Sequence, residues 1–346
     1  MLKVYQSVNS SIKQLHGYIG NMVLNDWVNF GNGSVFNKQT LGPVLEEFYD
    51  SYTWFRNSLD KIYQLLPTLT NAQRNKIKQV YLNNNDISNL CSGQLQPLKM
   101  DDLPQALTKE ITDLFEQLYT KMLNAARYTR DHDGTKVYYD LFYQTNQNHT
   151  CPFCGYHNMK SDLDKGREAY DHYLPKSKYP FAAVNFENLV PMCYECNSSY
   201  KGATDPLDNG SVAFYPFHNA NYDIDVKIQH PQPVEWSNID EGKCTVTIDT
   251  PNQNELATWE RVFDVKKRYV QRIEQFDKQW IDELMNRCKL NLRRGITVEE
   301  TLQDEIDLLD ENEPLYNMTF LKKAFYNEVL KDDVYLETIS DMLQEA

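Results

Sequence analysis

The chain has 346 residues, a length that favours roughly two or three domains, and its 41% hydrophobic content is enough to build buried cores. These values exclude an intrinsically disordered chain. No run of about 18 apolar residues occurs, and polar side chains interrupt the start of the chain, where a signal peptide has its apolar core. The sequence therefore indicates neither a membrane span nor secretion, and it predicts a cytoplasmic protein with no membrane partner.

The formal charge is −14, from 49 acidic and 35 basic residues, and on average this disfavours a polyanionic partner. The charge is uneven, because residues 295–346 hold three lysines and fourteen carboxylates, whereas residues 261–294 hold ten basic and five acidic residues. We expect a basic helix and then an acidic tail, which competes with nucleic acid for that helix or docks on a basic partner. The alternative is a solvated helix face followed by a solubilising end.

Residues 1–140 are predicted to form an N-terminal helical domain, because apolar side chains recur there every three or four residues. The first such stripe predicts one helix that Pro67 ends, and it comprises Leu45, Phe48, Tyr52, Phe55, Leu59, Ile62 and Leu66. The second comprises Leu107, Ile111, Leu114, Leu118, Met122 and Ala125. The polar residues 83–96 between them are predicted to be a loop. The two helices are expected to pack on each other through these stripes in a bundle. The alternative is that the stripes form a dimer interface, which would make the protein a homo-oligomer.

Composition changes after about residue 140. Residues 141–215 are rich in Cys, His, Asn, Tyr and Pro and are predicted to be a small domain that something other than its size stabilises. Residues 216–250 are predicted to be a short antiparallel β segment, and β-favouring runs cover 212–215, 223–230 and 244–248. Residues 251–346 are predicted to be a C-terminal helical region, whose apolar stripe is Val262, Val265, Tyr269, Ile273, Phe276, Trp280 and Leu284.

Four of the seven cysteines form two Cys-x-x-Cys pairs, Cys151 with Cys154 and Cys193 with Cys196. A two-residue spacer lets both thiolates of a pair reach one ion, at roughly 2.3 Å for Zn²⁺, so the pattern predicts a structural zinc site. A redox motif would need one pair only, and disulfides are disfavoured in a cytoplasmic chain. The substitute ligands would be His149 and His157. The other cysteines are expected to be small core residues: Cys91, Cys244 and Cys288.

Polar residues suited to phosphodiester hydrolysis lie between and just after the cysteine pairs. Asp171 and Asn197 offer a carboxylate and an amide oxygen, which are ligands that Mg²⁺ accepts. We expect His172 to be the general base, because a neutral imidazole that titrates near pH 7 can take a proton from an attacking water. Asn188 is the expected residue that orients it. Positive charge for the phosphate would come from Lys176, Lys178 and Lys201.

The order of these motifs resembles the HNH endonucleases. A Cys-x-x-Cys pair precedes Asp171-His172-x-x-Pro-x-Ser and Asn188-Leu, and the second pair runs directly into Asn197-Ser-Ser-Tyr-Lys201-Gly. The resemblance covers residues 151–202 and places His172, Asn188 and Asn197 at the family's three named positions, with Asn in place of the last His. It implies a divalent ion, Mg²⁺ or Mn²⁺, on Asp171 and Asn197, a general base at His172, and a zinc ion that staples the finger.

The predicted fold class is therefore mainly α with a small α+β centre. The resemblance implies a ββα-metal finger with a structural zinc, followed by the short antiparallel sheet and flanked by N- and C-terminal helical regions. Zinc deaminases are excluded, because the chain has no His-x-Glu motif. Serine hydrolases of the Gly-x-Ser-x-Gly type and His-Glu-x-x-His zincins are excluded in the same way.

The flanks of the finger are expected to serve placement and control. The helix carrying Arg261, Arg268 and Arg272 would follow the phosphate backbone of DNA, with RNA left open. A finger between helical flanks is similar to effector nucleases of prokaryotic antiviral systems of the Septu-like type, in which such a protein works beside an ATPase subunit. The chain has no P-loop motif, so a partner ATPase or sensor would supply any nucleotide-driven step. The alternatives are a restriction or mobile-element nuclease and a non-cleaving zinc-finger docking module.

Overall fold

The computed structural model describes residues 1–147, 150–229, 244–312 and 316–344. Contacts within the chain divide it into two compact units, and the four segments given above stay a prediction. The helical unit comprises Val4–Asn148 and Met159–Ala220, and the C-terminal unit comprises Met1–Lys3, His149–Asn158 and Asn221–Ala346. The described residues are mainly helical with two small antiparallel sheets, as predicted at that level. No helix among them is long and apolar enough to cross a bilayer.

The helical unit consists mostly of short α-helices joined by 3₁₀ turns and π-helical segments. The α-helices are α1 (Gln14–Asn21), α2 (Pro43–Ser51), α3 (Thr53–Leu65), α4 (Asn71–Asn84), α5 (Ile87–Cys91), α6 (Gln105–Gln117), α7 (Ala126–Thr129) and α8 (Thr135–Asn146). The 3₁₀ turns are Ser11–Lys13, Trp27–Asn29, Lys38–Leu41, Leu66–Thr68, Pro180–Ala182 and Asp208–Gly210. The π-helical segments are Met22–Asp26, Leu118–Met122 and Glu195–Lys201.

The prediction of one helix over the first apolar stripe is wrong at Tyr52. Its φ of −118° and ψ of 106° are extended, so α2 ends before it and α3 begins after it. The side chain of Arg56 satisfies the end of α2 by donating to the carbonyls of Tyr49 at 3.0 Å and Asp50 at 2.7 Å. The other six members of the stripe remain buried, because both helices turn the same periodic face inward.

The prediction of a loop over residues 83–96 is wrong in its first half. Helix α4 extends into it after starting at a capping box, in which Gln73 N donates to Thr70 Oγ1 at 3.2 Å. Helix α5 follows, and the carboxylate of Asp86 caps it by accepting from Asn89 N at 3.2 Å. The second apolar stripe is buried as predicted up to Met122, and its last turn is the π-helical segment Leu118–Met122.

The first sheet of the protein is a two-stranded antiparallel pair in the helical unit. Strand β1 (Tyr170–His172) pairs with β2 (Leu189–Pro191), so that Asp171 lies opposite Val190 and His172 lies opposite Leu189. The π-helical segment Glu195–Lys201 follows β2 after a short connection. The order along the chain is thus strand, strand and π-helical segment, and the ββα-metal finger stays a prediction.

The C-terminal unit contains the second sheet and five α-helices among its described residues. Strands β3 (Asp225–Gln229) and β4 (Thr245–Asp249) pair antiparallel over their whole length, with Val226, Ile228, Val246 and Ile248 on the buried face. This confirms the predicted short sheet, although His230 lies outside the described residues. The helices are α9 (Gln253–Phe263), α10 (Val265–Leu292), α11 (Val298–Glu311), α12 (Thr319–Lys331) and α13 (Asp333–Gln344), and a 3₁₀ turn covers Tyr316–Met318.

Two further predictions differ from the structure. The residues 212–215 form no strand, and the backbone bond from Ala213 N to the Cys91 carbonyl, at 2.9 Å, fixes this segment in the helical unit instead. The stripe that starts at Val262 belongs to two helices, because Asp264 has a φ of 50° and separates α9 from α10. The Asp264 N–H donates to the Glu260 carbonyl at 2.8 Å and so ends α9.

The described residues of the predicted acidic segment are helical, and they also contribute to a buried core. These residues form α11, α12 and α13, and they bury Leu302, Leu321, Phe325, Tyr326 and Val329, each at most 1% exposed. The apolar faces of these helices therefore belong to the core of the C-terminal unit, whereas none of the described carboxylates of the segment is buried. Competition between this segment and nucleic acid stays a prediction.

Candidate active site and cysteine cluster

Tight backbone turns hold the two cysteine pairs. In the first pair, Cys151 N donates to the His157 carbonyl at 2.8 Å, and Gly155 N donates to the Cys151 carbonyl at 2.7 Å. Gly155 has a φ of 77°, which favours glycine, and an added Cβ would clash with the side chains of Leu2 and Phe320. In the second pair, the Cys193 carbonyl accepts from Asn197 N at 2.9 Å at the start of the π-helical segment.

All four cysteines of the pairs are buried, and their sulfur atoms lie within 4.8 Å of one another. A tetrahedral zinc ion with Zn–S distances of roughly 2.3 Å separates its thiolates by roughly 3.8 Å, so this donor set fits zinc. The predicted four-cysteine cluster is confirmed, and among the described residues it contains no histidine. The substitute ligand His149 lies outside the described residues. The three remaining cysteines are buried, as predicted: Cys91, Cys244 and Cys288.

The imidazole of His172 is fixed by a backbone carbonyl. Its Nε2 lies 3.0 Å from the carbonyl oxygen of Ala183. A carbonyl only accepts hydrogen bonds, so Nε2 carries the proton and Nδ1 keeps its lone pair. Burial lowers the pKa of His172 to about 4, against the opposing effect of this hydrogen bond. The imidazole is therefore neutral at pH 7, which is the state that a general base requires.

The hydrogen bonds of the Asn188 side chain go to the backbone, so any influence of Asn188 on His172 is indirect. Its side chain is fully buried, and its Oδ1 accepts from Leu174 N at 2.7 Å. Its Nδ2 donates to the carbonyls of Leu174 at 3.0 Å and Ala182 at 3.3 Å. Asn188 therefore clamps the two ends of the loop between β1 and β2, and this loop carries the Ala183 carbonyl that binds the imidazole.

Asp171 forms a buried ion pair with Lys201. The Lys201 ammonium lies 2.9 Å from Asp171 Oδ2, and it donates to Asp171 Oδ1 at 3.2 Å and to the His172 carbonyl at 2.8 Å. Burial raises the pKa of Asp171, while the lysine charge and its hydrogen bond act in the opposite direction. Lys201 is 1% exposed, so its predicted contact with nucleic acid is wrong in this conformation, and its charge acts on the carboxylate.

Asp171 and Asn197, the predicted ligands of the divalent ion, carry oxygen atoms of the kind that a hard cation binds. Asp171 Oδ2 is buried, and the Lys201 ammonium lies 2.9 Å from it. Asn197 is half-buried and lies one turn before Lys201 on the π-helical segment, whose Lys201 contacts Asp171 and the His172 carbonyl on β1. A carboxylate and an amide oxygen are suitable donors for Mg²⁺ or Mn²⁺. The Lys201 ammonium competes for the same carboxylate, because it already lies where a cation would gain most from Asp171.

The other two lysines predicted to bind phosphate are paired with carboxylates. Lys176 donates to Glu116 Oε1 at 2.7 Å. Lys178 pairs with Asp208 and lies 3.3 Å from Asp205 Oδ2. All these groups except Asp205 are at least partly exposed, so the ion pairs are weak, and a phosphate can displace them at small cost.

The three predicted arginines of the C-terminal unit differ in exposure. Arg268 is 2% exposed, and its guanidinium donates to Tyr156 Oη at 2.8 Å and to the Phe263 carbonyl at 3.1 Å. Its predicted contact with DNA is wrong, because these bonds commit it to the interior. Arg272 is half-buried with its guanidinium 4.5 Å from the centre of the Tyr156 ring, and Arg261 is exposed.

Sequence reasoning missed two groups that contact His172. The Ala183 carbonyl leaves no signal in a sequence, because every residue offers the same acceptor. The ring of Tyr119 lies edge-on against the imidazole, with 4.3 Å between the ring centres. Tyr119 falls beside Leu118 in the second apolar stripe, and nothing in that pattern separates a tyrosine of the site from one of the core.

Comparisons with known proteins give two distant relatives. The chain is 26% identical to the Septu protein PtuB of Bacillus thuringiensis over 200 residues, which are 56% of this chain and 70% of that protein. It is 34% identical over 82 residues to protein ea31 of Escherichia phage lambda, and the match spans 24% of this chain and 25% of ea31. No protein-family model matches the chain, and no solved structure matches it significantly.

Proposed function

We propose that this chain is a metal-dependent endonuclease of the HNH type that hydrolyses phosphodiester bonds in DNA. The observation that carries the proposal is the placement of His172, whose Nε2 lies 3.0 Å from the Ala183 carbonyl oxygen, so that Nδ1 is the nitrogen left to act as a base. This arrangement lies on a β-hairpin beside Asp171, and a helix with Asn197 follows it. The four-cysteine cluster and the motif order from residue 151 to 202 support the same class.

In phosphodiester hydrolysis each of these residues would have a separate role. Nδ1 of His172 would take the proton of the attacking water, and the Ala183 carbonyl would stabilise the imidazolium that forms. Asp171 and Asn197 would hold the divalent ion, which when bound polarises the phosphate and stabilises the leaving oxygen. Lys176 and Lys178 would exchange their carboxylate partners for phosphate oxygens of the DNA.

The distant similarity to the Septu protein PtuB supports a role in antiviral defence. In this role the nuclease would be an effector that a partner ATPase or sensor controls, since the chain carries no P-loop of its own. Phage plating on cells that carry the gene with its neighbours tests the role. We expect protection with the wild-type chain and none with His172→Ala, and equal plating of the two strains would contradict it.

Cleavage of supercoiled plasmid DNA with Mg²⁺ or Mn²⁺ tests the nuclease. We expect His172→Ala to cut roughly 10² to 10⁴ times more slowly than the wild type, the usual contribution of a general base. The matched control is His218→Ala, which removes an exposed histidine and should cut at the wild-type rate. Equal rates for His172→Ala and the wild type would contradict the proposal. Discrete cut positions would favour a restriction or mobile-element enzyme over an effector that cuts at many sites.

A non-cleaving docking module is the second candidate. The ion pair between Asp171 and Lys201 favours it, because the ammonium already neutralises the carboxylate that a divalent ion needs. Electron paramagnetic resonance of Mn²⁺ separates the two candidates. A docking module would leave all Mn²⁺ free in solution, whereas the proposed nuclease binds one ion that Asp171→Ala releases.

A further inference from the structure

We infer that Tyr119 is a positioning residue of this active site, and that its ring fixes the plane of the His172 imidazole. The inference rests on the proposed nuclease function, which it extends to a residue outside the HNH motifs. Tyr119 and His172 both belong to the helical unit, and although 52 residues lie between them in the sequence, their ring centres are 4.3 Å apart.

One hydrogen bond does not fix an imidazole. The bond from Nε2 to the Ala183 carbonyl sets one end of the ring, but the ring can still pivot about that bond and carry Nδ1 away from a water. Tyr119 supplies the second constraint. The two ring planes meet at 68°, the edge-to-face geometry that aromatic pairs prefer, and this contact opposes the pivot.

Tyr119 is itself held in place from two sides. Its hydroxyl donates to the Tyr170 carbonyl at 3.3 Å, so the ring is tied to the strand that carries His172. The Lys176 ammonium lies 5.7 Å from the centre of the Tyr119 ring and donates to Glu116, three residues earlier on α6. The tyrosine is thus fixed against β1 and against the loop that follows it.

The backbone around Tyr119 is also unusual. Residues Leu118–Met122 form a π-helical turn at the end of α6, and such single turns are rare and occur often at functional sites. Leu118 and Met122 are fully buried on either side of Tyr119. The wider turn therefore lets the apolar stripe stay in the core while Tyr119 turns toward the hairpin.

The test compares Tyr119→Leu, which removes the ring, with Tyr119→Phe, which keeps the ring and removes the hydroxyl. We expect Tyr119→Leu to lower the single-turnover rate of plasmid cleavage by roughly 10²-fold, as a catalytic group displaced by about 1 Å does, with DNA affinity in EDTA unchanged. Tyr119→Phe should retain most of the rate. The matched control is Tyr18→Leu, because Tyr18 makes the same edge-to-face contact with His132, at 5.8 Å, and should leave cleavage unchanged.

A second readout does not depend on cleavage. In ¹⁵N spectra of histidine-labelled protein, where a lost ring current moves a signal far less than a changed hydrogen bond does, the His172 ring-nitrogen signals should shift in Tyr119→Leu and stay in place in Tyr119→Phe. Cleavage by Tyr119→Leu at the wild-type rate, or a His172 signal that Tyr119→Leu leaves unmoved, would overturn the inference. If the wild type itself does not cut DNA, the proposed function fails, and the ring signal still decides whether Tyr119 orients His172.

Discussion

Substitution of Asn188 by alanine tests how the active-site loop is held. The side chain is fully buried and makes three hydrogen bonds to the backbone of Leu174 and Ala182, both of which are also buried. In Asn188→Ala the Leu174 N–H loses its acceptor inside the protein, which costs about 1–3 kcal/mol. The loss of two further bonds to carbonyls adds about 1 kcal/mol, because a carbonyl has other ways to be satisfied.

We therefore expect Asn188→Ala to lower the free energy of unfolding by about 3 kcal/mol. Urea denaturation followed by tryptophan fluorescence measures this value. The variant should also cut DNA more slowly, since the Ala183 carbonyl that holds His172 belongs to the same loop. Asn32→Ala is the matched control, because Asn32 is exposed and its loss should change the unfolding free energy by less than about 0.5 kcal/mol.

Two results would refute this reasoning. An Asn188→Ala variant as stable as Asn32→Ala would mean that the three hydrogen bonds are not made in solution. A variant that loses about 3 kcal/mol but cuts at the wild-type rate would mean that the loop does not position His172.

Three further predictions follow from the cluster, a buried histidine and the arginines. Cys193→Ser should lose the bound zinc, measured by mass spectrometry of the metal, and melt at a lower temperature, whereas Cys288→Ser should keep the metal. Burial lowers the pKa of His16 from its ordinary 6.5. Below pH 6.5 the unfolded chain therefore binds a proton at this histidine more readily than the folded chain does. The stability that is present above pH 6.5 is lost as the pH falls, by at most about 1.4 kcal/mol per pH unit. Urea denaturation at pH 7 and pH 5.5 should show that His16→Gln loses less unfolding free energy between the two pH values than the wild type does. An equal loss would contradict the lowered pKa of His16. Arg272→Gln should reduce the salt dependence of DNA binding without changing stability, whereas Arg268→Gln should lower stability, and the reverse pattern would contradict the exposures of the two side chains.

The cysteine cluster was predictable because its signal is chemical and local. A Cys-x-x-Cys spacer fixes the distance between two thiolates whatever surrounds it, and the four sulfur atoms are indeed close together. The two apolar stripes also predicted which side chains are buried. They did not predict where helices end, because Tyr52 keeps the period of the stripe while its backbone is extended.

The remaining errors concern side chains whose partners are distant in sequence. Arg268 was expected on the surface as a charged residue, but Tyr156 and the Phe263 carbonyl satisfy its guanidinium in the interior. Asn188 was assigned to His172 by motif order, and its amide instead binds backbone groups that every residue possesses. Such partners depend on tertiary structure, and a single sequence carries no signal for them.

The most direct test of the central claim is the position of a bound Mn²⁺ ion, located by its anomalous X-ray scattering in crystals of the full chain. The account predicts one ion within about 2.5 Å of the Asp171 carboxylate and the Asn197 amide oxygen, with the Lys201 ammonium moved away and Nδ1 of His172 facing the same cleft. Crystals that show no ion there in saturating Mn²⁺, with the ion pair between Asp171 and Lys201 intact, would contradict it.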